Sequence, residues 1–167
     1  MNRGPNWSSA FARQARADLT AFHALREGSG LPDCQALNFL QMACEKVAKA
    51  YLCGAGADPG AIQSSHAYIA KTLPVIAAEQ AADYPRPRRR HRSADRALRQ
   101  LAREIELLSP AVDDGGRRPD NCEYPWEDAA GVVLVPAERS FPNLDLLQGP
   151  AGRDLLKLLE TAIHELA

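Results

Sequence analysis

The sequence predicts an all-α protein, an up-and-down helical bundle of about five helices with a long irregular loop before the last helix. Apolar residues recur every third or fourth position, the early connections are short, and almost no stretch alternates as a strand does. We expect a single helical domain over residues 1–167. Its helices are expected at about 8–26, 33–53, 66–80, 93–108 and 150–166, with a loop at 109–149.

The first two predicted helices carry apolar stripes and end at glycines. In the first helix the stripe consists of Phe11, Ala15, Leu19 and Phe22. In the second it consists of Leu37, Leu40, Cys44, Val47 and Tyr51, and further apolar residues widen it. A broad stripe indicates neighbours on more than one side, so we expect the other helices to pack around the second.

The opposite stripe of the second helix is polar and contains Asn38, Gln41, Glu45 and Lys49. Glu45 precedes Lys49 by four residues, which is the favourable order for an ion pair on a helix. Such a pair contributes only about 0.3–0.5 kcal/mol. We therefore expect a weak helical ion pair at this position.

The third and fourth helices flank a stretch rich in proline and arginine. Pro74 is expected to end or kink the third helix, with one more turn after it. The fourth helix has an apolar seam formed by Ala94, Leu98, Leu101, Ile105 and Leu108. Its other face carries Arg92, Arg96, Arg99 and Arg103 at four-three-four steps.

The predicted loop at 109–149 is rich in Gly, Pro and Asp, and loops of this length are often functional. Within it, the β-branched stretch 132–135 predicts a small strand or an extended strip. The last helix has a stripe formed by Leu155, Leu159, Ala162 and Leu166. The stripes of the second and last helices exceed what a small bundle buries, which predicts a homodimer.

Composition and charge are those of an ordinary globular protein. The chain is 46% hydrophobic and 25% charged, and its formal net charge of −1 favours no particular partner. No apolar run approaches the ~18–20 residues of a membrane helix, and the first residues lack a signal-peptide core. We therefore expect a cytoplasmic protein with no membrane partner, in which the cysteines are reduced thiols.

Three segments form a family pattern. Residues 40–52 read LQMACEKVAKAYL, residues 66–73 read HAYIAKTL, and Tyr124-Pro125 precedes the last helix. Together with Trp7 and the first apolar stripe, they resemble the HEPN family (higher eukaryotes and prokaryotes nucleotide-binding domain). The second helix of that family typically reads like QAAEKALKALL, and its third opens with histidine. The usual acidic residue after that histidine is Ala67 here.

This resemblance implies a helical bundle that often forms homodimers and acts beside nucleotides or RNA. Many members are encoded with a minimal nucleotidyltransferase partner. Others are metal-independent ribonucleases with an Arg-x(4–6)-His motif in the dimer cleft. The leading hypothesis is a non-catalytic nucleotide- or RNA-associated binding module, without a cofactor, in a toxin–antitoxin or stress system.

A ribonuclease is the first alternative, because Arg86 and His91 satisfy the Arg-x4-His spacing. His91 would transfer the proton of a ribose 2′-hydroxyl, and Arg86 would stabilise phosphate charge. A histidine inside an arginine run, however, matches some arginine at almost any spacing. Pro87 also interrupts the helical geometry that would present both side chains to one cleft. These points favour the non-catalytic hypothesis.

The arginine-rich stretch is the strongest local charge feature of the chain. It would bind phosphate or an RNA backbone, dock an acidic protein partner, or simply be a solvated helix face. The alignment of arginines favours a polyanion or an acidic partner, and no interleaved aromatic residues indicate base stacking. The residues concerned are Arg88, Arg89, Arg90, Arg92, Arg96, Arg99 and Arg103.

The loop stretch 117–128 is the second candidate site. One interpretation is a ligand cleft lined by Arg117, Arg118, Glu123 and Trp126 with Lys46 or Lys49 of the second helix. The other, which we favour, is a structural plug in which Tyr124 and Trp126 bury apolar area against the bundle. The two interpretations are compatible.

The histidines give no further site. His66 at a predicted helix start is interpreted as a capping or structural residue. The four histidines lack metal-ligand spacing, so no metal site is expected.

Overall fold

The computed structural model describes residues 6–28, 30–82, 88–112 and 121–167, with the backbone alone at 88–92. These residues form a helical bundle, which confirms the predicted all-α fold. Its α-helices are α1 (Trp7–Arg26), α2 (Asp33–Gly54), α3 (Pro59–Gln63), α4 (Ile69–Ala82), α5 (Arg88–Glu106) and α6 (Pro150–Leu166). A small antiparallel hairpin, β1 (Trp126–Glu127) and β2 (Val133–Leu134), and two 3₁₀ helices (Pro136–Glu138 and Pro142–Gln148) lie between α5 and α6. In the described ranges, no helix has both the length and the apolar character needed to cross a bilayer.

α1 and α2 form the most extensive helix pair in the bundle. α1 begins after Asn6, whose Oδ1 accepts a hydrogen bond from the N–H of Ser9 at 3.1 Å. Because a short loop joins the two helices, they lie side by side as antiparallel neighbours. Small side chains favour close approach of their backbones, and the buried ones include Ala12 and Ala15 on α1 and Ala36, Ala43 and Ala50 on α2.

α2 is the helix around which the others pack, as its broad apolar stripe predicts. It contacts α1, α4, α5 and α6. Side chains from these helices meet in one hydrophobic core. Its fully buried members include Phe22, Leu40, Val47, Leu73, Leu101, Ile105, Leu155 and Leu159.

Three of the four residues of the polar stripe of α2 are buried as well, which the sequence did not predict. Gln41, Glu45 and Lys49 are only 2%, 8% and 4% exposed. The predicted ion pair is present, with 2.7 Å between Glu45 Oε1 and Lys49 Nζ. A contribution of a few tenths of a kcal/mol applies to exposed pairs, whereas removing one partner of a buried pair leaves an uncompensated charge and is strongly destabilising.

The connection between α2 and α4 contains a short helix at a position where the sequence predicts none. α3 begins after Asp58, whose side chain accepts a hydrogen bond from the N–H of Ala61 at 3.0 Å. Ile62 is buried and attaches α3 to the bundle. This connection covers the polar stripe of α2.

α4 begins at Ile69, three residues after the predicted start, and continues through Pro74 to Ala82. Proline lacks the N–H that would bond the carbonyl four residues earlier, and this predicted a break or kink. Buried side chains before and after it, Leu73 and Ile76 among them, hold the helix in the core. Packing of an apolar face therefore outweighs one missing hydrogen bond.

Two leucines of the described part of the segment between α5 and α6 lie in the core of the bundle. Leu144 and Leu147, on the second 3₁₀ helix, are 5% and 7% exposed and belong to the core. α6 approaches this helix closely at Gly152, where a Cβ atom would overlap the backbone of Leu147. The stretch 132–135 was predicted to be a small strand or an extended strip. It contains β2, so the structure has the strand.

Candidate functional site

α5 separates basic from apolar side chains more sharply than the other long helices. Its apolar side packs against α4, α6 and α2. The buried residues on this side are Leu98, Leu101, Ala102 and Ile105. The exposed side carries Arg96, Arg99 and Arg103.

These arginines continue a row that starts at the first residue of the helix. α5 begins at Arg88, five residues before the predicted start. Arg88 and Arg92 therefore occupy the helical positions eight and four residues before Arg96. At 1.5 Å and 100° per residue, the five positions cover about 22 Å within an arc of about 80°. We call Arg88, Arg92, Arg96, Arg99 and Arg103 the arginine row.

α5 carries three carboxylates, Asp95, Glu104 and Glu106, against seven arginines. Asp95 is exposed, whereas Glu106 is half-buried and turned toward α4, where its Oε2 accepts the N–H of Ala70 at 3.0 Å. Within the described part of the chain, no ion pair joins Arg96 or Arg99 to a carboxylate. Positive charge is thus locally in excess although the net charge of the chain is −1.

Part of the predicted site lies outside the described residues. This holds for Arg86, for Arg117 and Arg118, and for the side chains of Arg88, Arg89, Arg90, His91 and Arg92. The proposed ribonuclease pair, Arg86 and His91, therefore stays a prediction. The contribution of Arg117 and Arg118 to a cleft does so too.

Lys46 and Lys49, predicted to line a cleft, make contacts within the bundle. Lys46 Nζ lies 2.7 Å from Oδ2 of Asp18 on α1. Lys49 Nζ pairs with Glu45 and also donates to the carbonyl of Gln63 at 3.1 Å. In the described residues, neither lysine forms a hydrogen bond or ion pair with the predicted cleft residues Glu123 and Trp126.

Glu45 is the centre of the buried polar network on α2. Its Oε1 pairs with Lys49, while its Oε2 accepts from Gln41 Nε2 at 3.1 Å and lies 2.9 Å from His66 Nδ1. Burial alone would raise the pKa of Glu45. Hydrogen bonds from Lys49 and His66 outweigh burial and hold that pKa below its ordinary value. The network ties the connection that contains α3 to α2, which agrees with a structural role for His66.

The network could have been suspected from one feature of the sequence. Gln41, Glu45 and Lys49 recur every four residues on a helix whose other sides are apolar. Such a helix is surrounded by neighbours, so a polar stripe on it has to find partners inside the protein. Those partners, the carbonyl of Gln63 and the ring of His66, belong to a connection without helical periodicity.

The plug interpretation is wrong for Tyr124, whose side chain is 62% exposed. Trp126 is half-buried and Glu123 is exposed. The buried positions belong instead to Asn121 and Cys122. The Asn121 side-chain carbonyl accepts the N–H groups of Glu123 and Tyr124 at 2.8 and 2.7 Å, so a polar turn shapes this loop.

In the part of the chain that the structure describes, no cluster of His, Cys, Asp or Glu side chains could hold a metal ion. Comparisons with protein-family models, with curated proteins and with solved structures find no match.

Proposed function

We propose that this chain is a non-catalytic, HEPN-type helical module that binds RNA or nucleotides through the arginine row of α5. The observation that carries the proposal is the exposure of Arg96, Arg99 and Arg103 along one side of a helix whose opposite side is buried. Guanidinium groups are planar, permanently charged and suited to bidentate contacts with phosphate oxygens. A solvated face needs no such alignment of a single residue type.

The first turn of α5 supports the same proposal. It carries arginines and no acidic residue. Positive side chains at the start of a helix oppose its dipole, which favours negative charge there. A bound phosphate would relieve this conflict, and local conflicts of this kind are expected at functional sites.

The proposal includes a homodimer and a minimal nucleotidyltransferase partner in a cytoplasmic toxin–antitoxin or stress system. The resemblance of residues 40–52 to the HEPN pattern supports the partner. Exposed apolar side chains support protein contacts, and they include Leu31, Val75 and Val133 at 54%, 45% and 66% exposure. Sedimentation equilibrium is expected to give twice the chain mass, whereas the chain mass at high micromolar concentration would refute the dimer.

Fluorescence anisotropy with labelled RNA and labelled ATP, at low and at moderate salt, tests the binding function. The variant Arg96→Gln/Arg99→Gln removes two charges from the arginine row. The matched control Arg139→Gln/Arg153→Gln removes two exposed arginines elsewhere. We expect binding at low salt that weakens with added salt and is reduced in the α5 variant alone.

Two outcomes would replace the proposal. Absence of binding to RNA and ATP at low salt would leave a protein-interaction module in which α5 docks an acidic partner. Cleavage of the RNA in the presence of EDTA, lost in His91→Ala, would establish the ribonuclease alternative with Arg86 and His91.

A further inference from the structure

We propose that the arginine row selects a linear chain of phosphate groups, read without its bases, over a mononucleotide and over a double helix. This inference rests on the proposed binding function and specifies its ligand. The shared chemistry of the ligand is a flexible run of phosphates, as in single-stranded RNA or inorganic polyphosphate.

The length of the row sets the length of the ligand. Successive positions are four, four, three and four residues apart, which corresponds to rises of about 4.5–6 Å and a total of about 22 Å. A nucleic-acid strand carries one phosphate per about 3.4 Å when stacked and one per about twice that distance when extended. The five helical positions of the row therefore span the length of roughly four to seven phosphates of one strand.

A mononucleotide cannot use this arrangement. The phosphates of ATP are joined directly to one another, so they reach one or two neighbouring arginines and leave the rest of the row solvated. Each further phosphate of a longer chain adds a charge contact and releases a counterion. Affinity is therefore expected to rise with chain length until the row is covered.

The straightness of the row disfavours a double helix. The phosphates of each duplex strand wind around the duplex axis, so a strand leaves a straight line of guanidinium groups within a few nucleotides. A flexible single strand can follow Arg96, Arg99 and Arg103 along the whole exposed side.

Recognition at this surface involves phosphate and not bases. Between Arg88 and Glu106 the helix contains no Phe, Tyr or Trp. Stacking on aromatic side chains supplies much of the base contribution in single-strand binding proteins. Without it, binding is expected to depend on length and salt and to be indifferent to sequence.

The test uses the full chain and fluorescein-labelled oligouridines of about three, six and twelve nucleotides, at about 50 and 200 mM KCl. The unlabelled competitors are ATP, inorganic polyphosphate and an RNA duplex of about twelve base pairs, which has as many nucleotides per strand as the longest oligouridine. The variant is Arg96→Gln/Arg99→Gln, with Arg139→Gln/Arg153→Gln as the matched control. Circular dichroism establishes that both variants remain helical.

We expect the twelve-mer to bind at least about tenfold more tightly than the three-mer, with little gain beyond the length of the row. Polyphosphate is expected to compete at equal phosphate concentration, whereas the duplex and ATP compete poorly. The length dependence is expected to shrink in the α5 variant and to persist in the control.

Three results would overturn the inference while leaving the proposed function standing. The first is equal affinity for the three-mer, the twelve-mer and ATP. The second is tighter binding of the duplex than of the single-stranded twelve-mer. The third is failure of polyphosphate to compete with the oligouridines, which would show that the sugar or the base is recognised. Absence of binding by every probe would instead refute the proposed function itself. Where both polyphosphate and single-stranded RNA bind, the ratio of their affinities identifies which of the two the row prefers.

Discussion

Replacing Glu45 by glutamine tests whether the charges on α2 are a stabilising part of the core. The substitution keeps the shape of the side chain but removes the negative charge 2.7 Å from Lys49 Nζ. The Lys49 side chain is only 5% exposed, so its ammonium group would remain buried without a counter-charge. Removing one partner of a buried pair typically costs about 3–5 kcal/mol. Because the amide oxygen can still accept a hydrogen bond, we expect a loss of about 3 kcal/mol.

Urea unfolding followed by circular dichroism at neutral pH measures this loss. Glu160→Gln, an exposed change on α6, is the control and is expected to stay within about 0.5 kcal/mol of the parent protein. The double variant Glu45→Leu/Lys49→Met should recover part of the stability, because it leaves no buried charge unpaired although Gln41 and the Gln63 carbonyl lose their partners. A loss below about 1 kcal/mol for Glu45→Gln would refute the buried-pair argument.

The same variant changes the dependence of stability on pH. The pKa of Glu45 in the folded protein lies below its ordinary value, despite burial, because Lys49 and His66 donate to the carboxylate. The contribution of Glu45 is therefore fully present above the ordinary glutamate pKa and is lost as pH falls toward the folded value. Stability curves of the parent protein and of Glu45→Gln should converge in acid. Parallel curves would contradict the assigned pKa direction.

One substitution and one chemical reaction test the packing of α6 and the burial of the thiols. Gly152→Ala should lower the free energy of unfolding by at least about 2 kcal/mol, because its methyl group would overlap the backbone of Leu147. Among the thiols, Cys53 is expected to react first with a disulfide reagent in the folded protein, since it is partly exposed. Burial raises the pKa of Cys122 to about 12 and raises that of Cys44 further, so both should react only on unfolding.

The matching controls lie elsewhere in the chain. Gly54→Ala places a methyl group 3.4 Å from Oγ of Ser8, an ordinary contact, and is expected to leave stability nearly unchanged. A similar loss for Gly54→Ala and Gly152→Ala would contradict the close approach of α6 to the second 3₁₀ helix. Equal reactivity of all thiols in the folded protein would contradict the burial of Cys44 and Cys122.

Long helices could be located from the sequence because two local signals agree there. α2 and α6 carry apolar residues at helical spacing, and glycine and proline mark the end of α2 and the start of α6. The predicted bounds of both agree with the structure to within a residue. α3 has only five residues, which is less than two turns, so no period could reveal it.

The buried network could not be predicted in full, because spacing gives the direction of a side chain and not what lies opposite. The order of Glu45 and Lys49 predicted their ion pair, but its burial depends on a connection that folds over α2. In the loop, the aromatic side chain of Tyr124 predicted its burial against the bundle, whereas the structure buries Leu144 and Leu147 in the core. A short 3₁₀ helix has too few residues for its apolar side to stand out.

For the candidate site, the sequence predicted which arginines are exposed, and the structure showed how far their row of positions extends along α5. The seam of α5 already placed Arg96, Arg99 and Arg103 opposite the core, where the structure has them exposed. The start of the helix at Arg88 was missed because proline and arginine precede it without an apolar residue to set the register. The binding role of the row stays a prediction.

The salt dependence of RNA binding tests the central claim most directly. For single strands, the logarithm of the affinity falls with the logarithm of salt by about 0.7 per phosphate contacted. Arg96→Gln/Arg99→Gln removes two contacts, so the account predicts a slope shallower by about 1.4 and a lower affinity, with Arg139→Gln/Arg153→Gln unchanged. An α5 variant with the slope and affinity of the parent protein would contradict the claim that the arginine row binds phosphate.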